Sequence, residues 1–350
     1  TSTPRVRWVP SGTMTVGGTM TVGGDAGPGQ PAETSGSVDS RLAGRVFAAA
    51  REAGLLDDDG PDLPEQGAEL VPDSLVAVLT VRDGDAIAAL LTRNKGNIMS
   101  LDQYSSDPEG GDFFRRVVFH RPGLVAAMGD LEADLAQTLE PFGMNWTLTD
   151  QSVPKRMVVL ASKSDHCLLD LLWRHRRGEL PVTIPMVISN HTDTAEDVRT
   201  FGVPFFHVPS QAGPDKSESE AQILKLLDGN VDFVVLARYM QVISGDFLQK
   251  VGVPVINIHH SFLPAFIGAG PYRKAKERGV KLIGATAHYV TEDLDEGPII
   301  EQDVVRATHA HSAEDLQRRG ADAERAVLSR AVAWHAEDRV IRHGNHTLVF

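Results

Sequence analysis

Asn257 and His259 end the apolar run Val253-Pro254-Val255-Ile256, and Asp295 follows in an acidic turn closed by Glu296-Gly297-Pro298. The run reads as a buried strand. On an extended backbone, residues two apart share a side, so an amide donor and an imidazole are aimed together from a strand end. With a carboxylate in reserve, those groups could polarise a carbonyl and activate a nucleophile towards it. Taken singly, each has a plainer reading: Asn257 as a turn residue, His259 as a hydrogen-bonded core histidine, Asp295 as a turn acid. The chemistry lies in the ordered combination.

The elements that must hold these residues are legible from pattern. After Gln151-Ser152-Val153-Pro154, strand and helix patterns alternate, as in a parallel sheet covered by helices. Strands are expected at 157–161, 184–189, 204–208, 233–236 and 255–258, and helices at 168–176, 193–201 and 218–227. Segments 282–290 and 299–305 read as a closing β pair. Ser312-Ala313-Glu314-Asp315 reads as a capping box opening a helix with Leu316, Ala323, Val327, Ala331 and Trp334 on its core face. Open parallel sheets bind ligands outside the carboxyl ends of their strands, which is where Asn257 and His259 fall.

Upstream, residues 72–150 carry the order βαββαβ, a ferredoxin-like plait, with strands at 75–81, 98–104, 113–119 and 145–149 and helices at 84–94 and 124–139. Residues 1–40 are rich in Gly, Thr, Ser and Pro and repeat Thr-Met-Thr-Val-Gly-Gly, the composition of a flexible tail. A short helix over 41–55 and a linker to residue 70 complete the expected organisation: tail 1–40, helix and linker 41–70, plait 71–150, and the larger sheet 155–350.

The 350 residues suffice for two domains, and the 42% hydrophobic and 23% charged content is that of a globular protein. A net charge of -13 opposes a nucleic-acid partner. No apolar run reaches the roughly 20 residues that span a bilayer, and the first 30 residues lack a signal-type apolar core. The single cysteine, Cys167, fits a reducing compartment. A cytoplasmic protein is expected. Cys167 beside His166 superficially suggests a thiol nucleophile, and a zinc site from His259, His260, His288 and Asp295 is opposed because adjacent strand residues point opposite ways.

The run Asn257-Ile258-His259-His260-Ser261-Phe262-Leu263-Pro264 resembles the Asn-x-His-x-Ser-x-x-Pro motif of enzymes that use 10-formyltetrahydrofolate, and the run from Gly284 to Ile300 resembles their second motif. The doubled His259-His260, Leu236-Ala237-Arg238-Tyr239-Met240-Gln241 and Ser189-Asn190-His191 narrow the resemblance to the formyltetrahydrofolate deformylase family. So does a plait of the ACT type placed before the larger sheet. The resemblance spans residues 72–350. It implies a Rossmann-like, mostly parallel formyltransferase fold and hydrolysis of 10-formyltetrahydrofolate to formate and tetrahydrofolate. Asn257, His259 and Asp295 are its implied catalytic residues. Arg238, Tyr239, Met240, Gln241, His260, His288 and Gly297 border the implied folate site.

No metal or prosthetic group is implied; the partners are the folate substrate and further copies of the chain in a dimer or tetramer. Transfer of the formyl group to an amine uses the same trio and stays open as the alternative, with a non-enzymatic folate or amino-acid sensor as a third reading. Ser162–Asp165 lacks a Gly-rich phosphate cradle for a ribonucleotide acceptor, which favours water. Two departures stand out. Val81-Arg82-Asp83-Gly84-Asp85 replaces the Asp-Arg-Pro-Gly turn common in related ACT domains, and Gly270 replaces a common Lys.

Overall fold

The computed structural model describes residues 74–80, 85–107, 109–210, 216–265 and 270–350, together with Arg45, Ala48 and Ala49. The tail, most of the 41–55 helix, the linker and most of the Val81–Asp85 turn lie outside the described residues.

Strands β1 (Ser74–Thr80), β2 (Asn97–Ser105), β3 (Phe113–His120) and β4 (Trp146–Asp150) form an antiparallel sheet in the order β2-β3-β1-β4. Helices α1 (Asp85–Arg93) and α2 (Met128–Leu139) bury Ile87, Leu90, Leu91, Leu131, Leu135 and Leu139 against it. The expected helix 124–139 begins instead as a 3-10 turn, Val125–Ala127. Arg116 on β3 joins this sheet to the rest of the chain, donating to the carbonyls of Asp338 at 3.0 Å and Glu337 at 2.9 Å. Arg116→Ala leaves both carbonyls short of a donor. It is expected to cost about 2–3 kcal/mol, read as a lower denaturant midpoint at unchanged m-value.

The larger sheet contains β5 (Lys155–Ala161), β6 (Val182–Thr183), β7 (Val187–Ser189), β8 (Phe205–His207), β9 (Phe233–Ala237), β10 (Val255–His259), β11 (Leu282–Tyr289) and β12 (Ile299–Arg306). Its order is β12-β11-β10-β9-β5-β7-β8, with β6 beside β5. Strands β5 to β10 pair in parallel and β11 and β12 close one side antiparallel, as the pattern predicts. The expected strand 184–189 is shortened, because Pro185 has no N–H for the ladder and only Val187–Ser189 pairs.

Helices cover both faces: α3 (His166–Arg176) and α8 (Ala313–Ala336) one face, α5 (Ser217–Leu227) and α6 (Gly245–Val251) the other, with α4 (Ala195–Thr200) and α7 (Pro271–Arg278) at the periphery. The parity of each strand assigns its side chains. Met157, Val159, Phe233, Val235, Ile256 and Ile258 pack towards α3 and α8, whereas Val158, Leu160, Val234, Leu236 and Val255 pack towards α5 and α6. The capping box of α8 is formed: the Asp315 N–H donates to Ser312 Oγ at 3.1 Å, and the Ser312 N–H to Asp315 Oδ2 at 2.9 Å. A hairpin, β13 (Val340–His343) and β14 (His346–Val349), ends the chain.

Candidate active site

Asn257 and His259 continue the parity of Val255 along β10, so they leave the sheet on the α5–α6 side, beyond the apolar cover. Their strand lies between β9 and β11, with Asn257 opposite His288 and His259 opposite Thr286. Directly opposed side chains on one face meet, and Asn257 Nδ2 is 3.2 Å from His288 Nε2. His288 Nδ1 is 3.0 Å from the Tyr289 carbonyl, to which only an N–H can be offered. Burial pushes the His288 pKa down, favouring the neutral ring. Its Nε2 is therefore an acceptor, and Asn257 donates one amide hydrogen to it while keeping the second.

His259 Nδ1 lies 3.2 Å from Asp295 Oδ1, both side chains 7% exposed. Its Nε2 is buried and has no hydrogen-bond partner among the described residues. Asp295 sits at φ 60°, a left-handed conformation that Asp tolerates better than most residues. The hydrogen bond from His259 holds its carboxyl below the usual carboxylate range, against burial, which pushes the other way. Asp295 Oδ1 is also 3.9 Å from His288 Nε2. The loop carrying it is pinned by the Tyr289 N–H, which donates to the Pro298 carbonyl at 2.9 Å.

The trio opens on a cavity of about 230 Å³. One wall is the turn after β9, with Arg238, Tyr239, Met240 and Gln241; the other is the loop to Asp295; His260 and His288 complete its lining. Arg238 takes φ 60° at the start of the turn, and the Met240 N–H is held by Ser162 Oγ at 3.0 Å. Gln241 accepts from Ser210 Oγ at 2.7 Å. Met240, Val242 and Leu294 are exposed, giving the mouth apolar lips. Burial and the Arg238 charge push His260 down to about 3, so it faces the cavity as a neutral ring.

Nine of the ten residues expected at the site line this cavity; Gly297 does not. It is buried beneath the loop, where a Cβ would lie 1.8 Å from the Tyr289 carbonyl oxygen, so its function is close backbone packing. Cys167 is 1% exposed and burial raises its thiol pKa well above the ordinary value, which removes the nucleophile reading. Sequence reasoning passed over Tyr272 and Glu324, which are buried and bonded to each other behind Arg238 and His260. The available signal was a Gly320 and a Glu324 interrupting the apolar stripe of α8.

Residues 155–332 match the formyl transferase family. The chain is 60% identical over 266 residues to the formyltetrahydrofolate deformylase of Mycobacterium bovis, an alignment covering 76% of this chain and 86% of the relative. The crystal structure of a formyltetrahydrofolate deformylase from Pseudomonas syringae pv. tomato superposes with a TM-score of 0.74 at 42% identity, over 80% of this chain and 95% of that one. Glycinamide ribonucleotide transformylase 1 from Symbiobacterium toebii superposes with a TM-score of 0.54 at 35% identity, over 57% of this chain and 96% of that one. At that identity and coverage, the chain belongs to the formyltetrahydrofolate deformylase family.

Proposed function

We propose that the site hydrolyses 10-formyltetrahydrofolate to formate and tetrahydrofolate, a step of one-carbon and purine metabolism. The observation that carries the mechanism is the buried, unpartnered His259 Nε2, backed at Nδ1 by Asp295 and lying on the cavity. A buried polar atom without a partner is costly, and a substrate or water in the cavity supplies one.

The water oxygen attacks the formyl carbon while Asp295 accepts a water proton. The developing oxyanion takes the free N–H of Asn257, a donor of a kind typically contributing about 3–4 kcal/mol to the transition state. The C–N10 bond then breaks as N10 receives a proton from His259 or the water network, and formate leaves. His288 acts on Asn257, fixing which way its amide points. The pterin, flat and amide-like, suits the backbone groups of the 238–242 turn between the apolar lips.

The pH dependence follows from the depressed Asp295 pKa. The base form persists as pH falls to the usual carboxylate range, about pH 4, so an acid-side loss of kcat centred at pH 5 or above belongs to another group. The ionised, bonded carboxylate contributes stability above its unfolded pKa, and that contribution is lost as pH falls through the lower folded value. Carboxyl-carbon NMR of Asp295 is expected to titrate below the unperturbed Asp value; a midpoint at or above it contradicts the assignment.

We further infer that residues 155–350 form the catalytic domain and residues 71–150 an ACT-type domain serving regulation or oligomerisation. The strand order β2-β3-β1-β4 supports the latter. A cytoplasmic dimer or tetramer is the accompanying reading; among the described residues no helix is long and apolar enough to cross a membrane. The test is incubation with 10-formyltetrahydrofolate, with and without amines, following formate and tetrahydrofolate. Formate release without an amine is expected, and absolute dependence on an amine overturns hydrolysis.

A further inference from the structure

A polar cluster, unused by the hydrolytic steps, lies behind Arg238 and His260, which line the cavity. Glu324 on α8 is 1% exposed. Its Oε1 accepts the Tyr272 hydroxyl at 2.5 Å, and its Oε2 lies 2.9 Å from His166 Nε2 and 3.4 Å from Arg238 Nε. A carboxylate only accepts, so His166 donates here. Burial opposes ionisation of this carboxyl, but the bond from His166, the Arg238 charge and the Tyr272 hydroxyl outweigh it and hold the group at about 2.

The cluster is fitted to its place. A Cβ on Gly320, one turn before Glu324, would lie 1.9 Å from the Tyr272 hydroxyl oxygen, so α8 leaves a slot for that side chain. From Tyr272 the rings step to His260 at 5.9 Å between centroids and on to His259 at 5.4 Å. Ser162, 3% exposed, is committed as well: it donates to Asn190 Oδ1 at 2.7 Å and accepts the Met240 N–H.

The trio is indifferent to its nucleophile. With water, the oxygen–carbon bond forms, the C–N10 bond breaks and N10 gains a proton, giving formate. With an amine, the nitrogen–carbon bond forms, the amine loses a proton and N10 gains one, giving a formamide. Neither route needs another reactant, so access decides between them. Folate bound at the mouth, between the 238–243 turn and the 290–295 loop, would leave the inner side, walled by Arg238 and His260, for a second substrate. Behind those two residues stand Glu324, 3.4 Å from Arg238, and the Tyr272 ring, which divides this cavity from a second one of about 330 Å³ lined by His260 and Tyr272.

We propose that the Tyr272–Glu324–His166 cluster is a plug that determines acceptor specificity, closing the inner side of the site to amines while leaving room for water. The proposal rests on the deformylase reading, and wild-type formate release tests that reading separately.

The experiment measures how 10-formyltetrahydrofolate partitions between formate and N-formylglycinamide as glycinamide is added to the full-length protein. Tyr272→Ala, which empties the slot, is expected to raise the share of formamide product by about tenfold or more over wild type. Tyr272→Phe keeps the ring in place and is expected to partition like wild type. His166→Ala opens the cluster from α3 and carries the same expectation as Tyr272→Ala, so failure of one variant to fold leaves the other to decide. A wild-type protein that already forms N-formylglycinamide readily overturns the plug. So does a folded, hydrolysing Tyr272→Ala or His166→Ala with an unchanged product ratio. Absence of formate from the wild type would instead sink the hydrolytic reading.

Discussion

Asp295→Asn is expected to lower kcat by about 10²–10⁴-fold while the dissociation constant for folate moves less than about threefold. Asn keeps the shape of the side chain and an oxygen able to accept from His259 Nδ1, and it tolerates the φ of 60° that places Asp295 over the cavity. What it loses is the capacity to accept a proton from water. Binding and turnover therefore separate, because Asn preserves the shape of the cavity wall that Asp295 helps to form. A kcat within threefold of wild type removes Asp295 from the mechanism, and equal losses in binding and turnover assign it to holding the pocket instead. The wild-type stability advantage attributable to the His259–Asp295 contact is expected to narrow below about pH 4.

Elements with strong periodicity were legible in the sequence. The buried strands β5, β9 and β10 announce themselves as short apolar runs, and α8 by its cap and stripe. Elements specified by punctuation were passed over. Helix α7 opens with Pro271 at its first turn and ends at Gly279 with φ 70°, a start and stop pair without an apolar stripe long enough to notice. Helix α6 is a seven-residue segment capped by Ser244, whose Oγ accepts the Phe247 N–H. The terminal hairpin turns through Gly344-Asn345, a two-residue signal set among polar residues. At the site, residue types and order located the trio, yet they could not show that His288 is opposite Asn257, because register between β10 and β11 is a long-range property. Glu324 was invisible for a related reason: a charged residue on a helix reads as solvated until the fold brings Tyr272, His166 and Arg238 to it.

Gly297→Ala separates packing from binding at the one expected site residue that the cavity does not contain. A methyl group there lies 1.8 Å from the Tyr289 carbonyl oxygen and 2.9 Å from its carbon, both backbone atoms of β11, so no side-chain rotation relieves the overlap. The loop must lift, and the hydrogen bond from the Tyr289 N–H to the Pro298 carbonyl at 2.9 Å goes with it. The Tyr289 carbonyl is also the acceptor that fixes the His288 tautomer. One methyl group thus disturbs Asp295 through the loop and Asn257 through His288. A loss of about 3 kcal/mol or more is expected, seen as a Tm lower by several degrees. Displacement of the base by even about 1 Å is expected to cost about a hundredfold in kcat. If Gly297 instead served only to admit folate, KM would rise while Tm and kcat stayed at wild-type values. That pattern would restore the binding assignment and remove Gly297 from the support of Asp295.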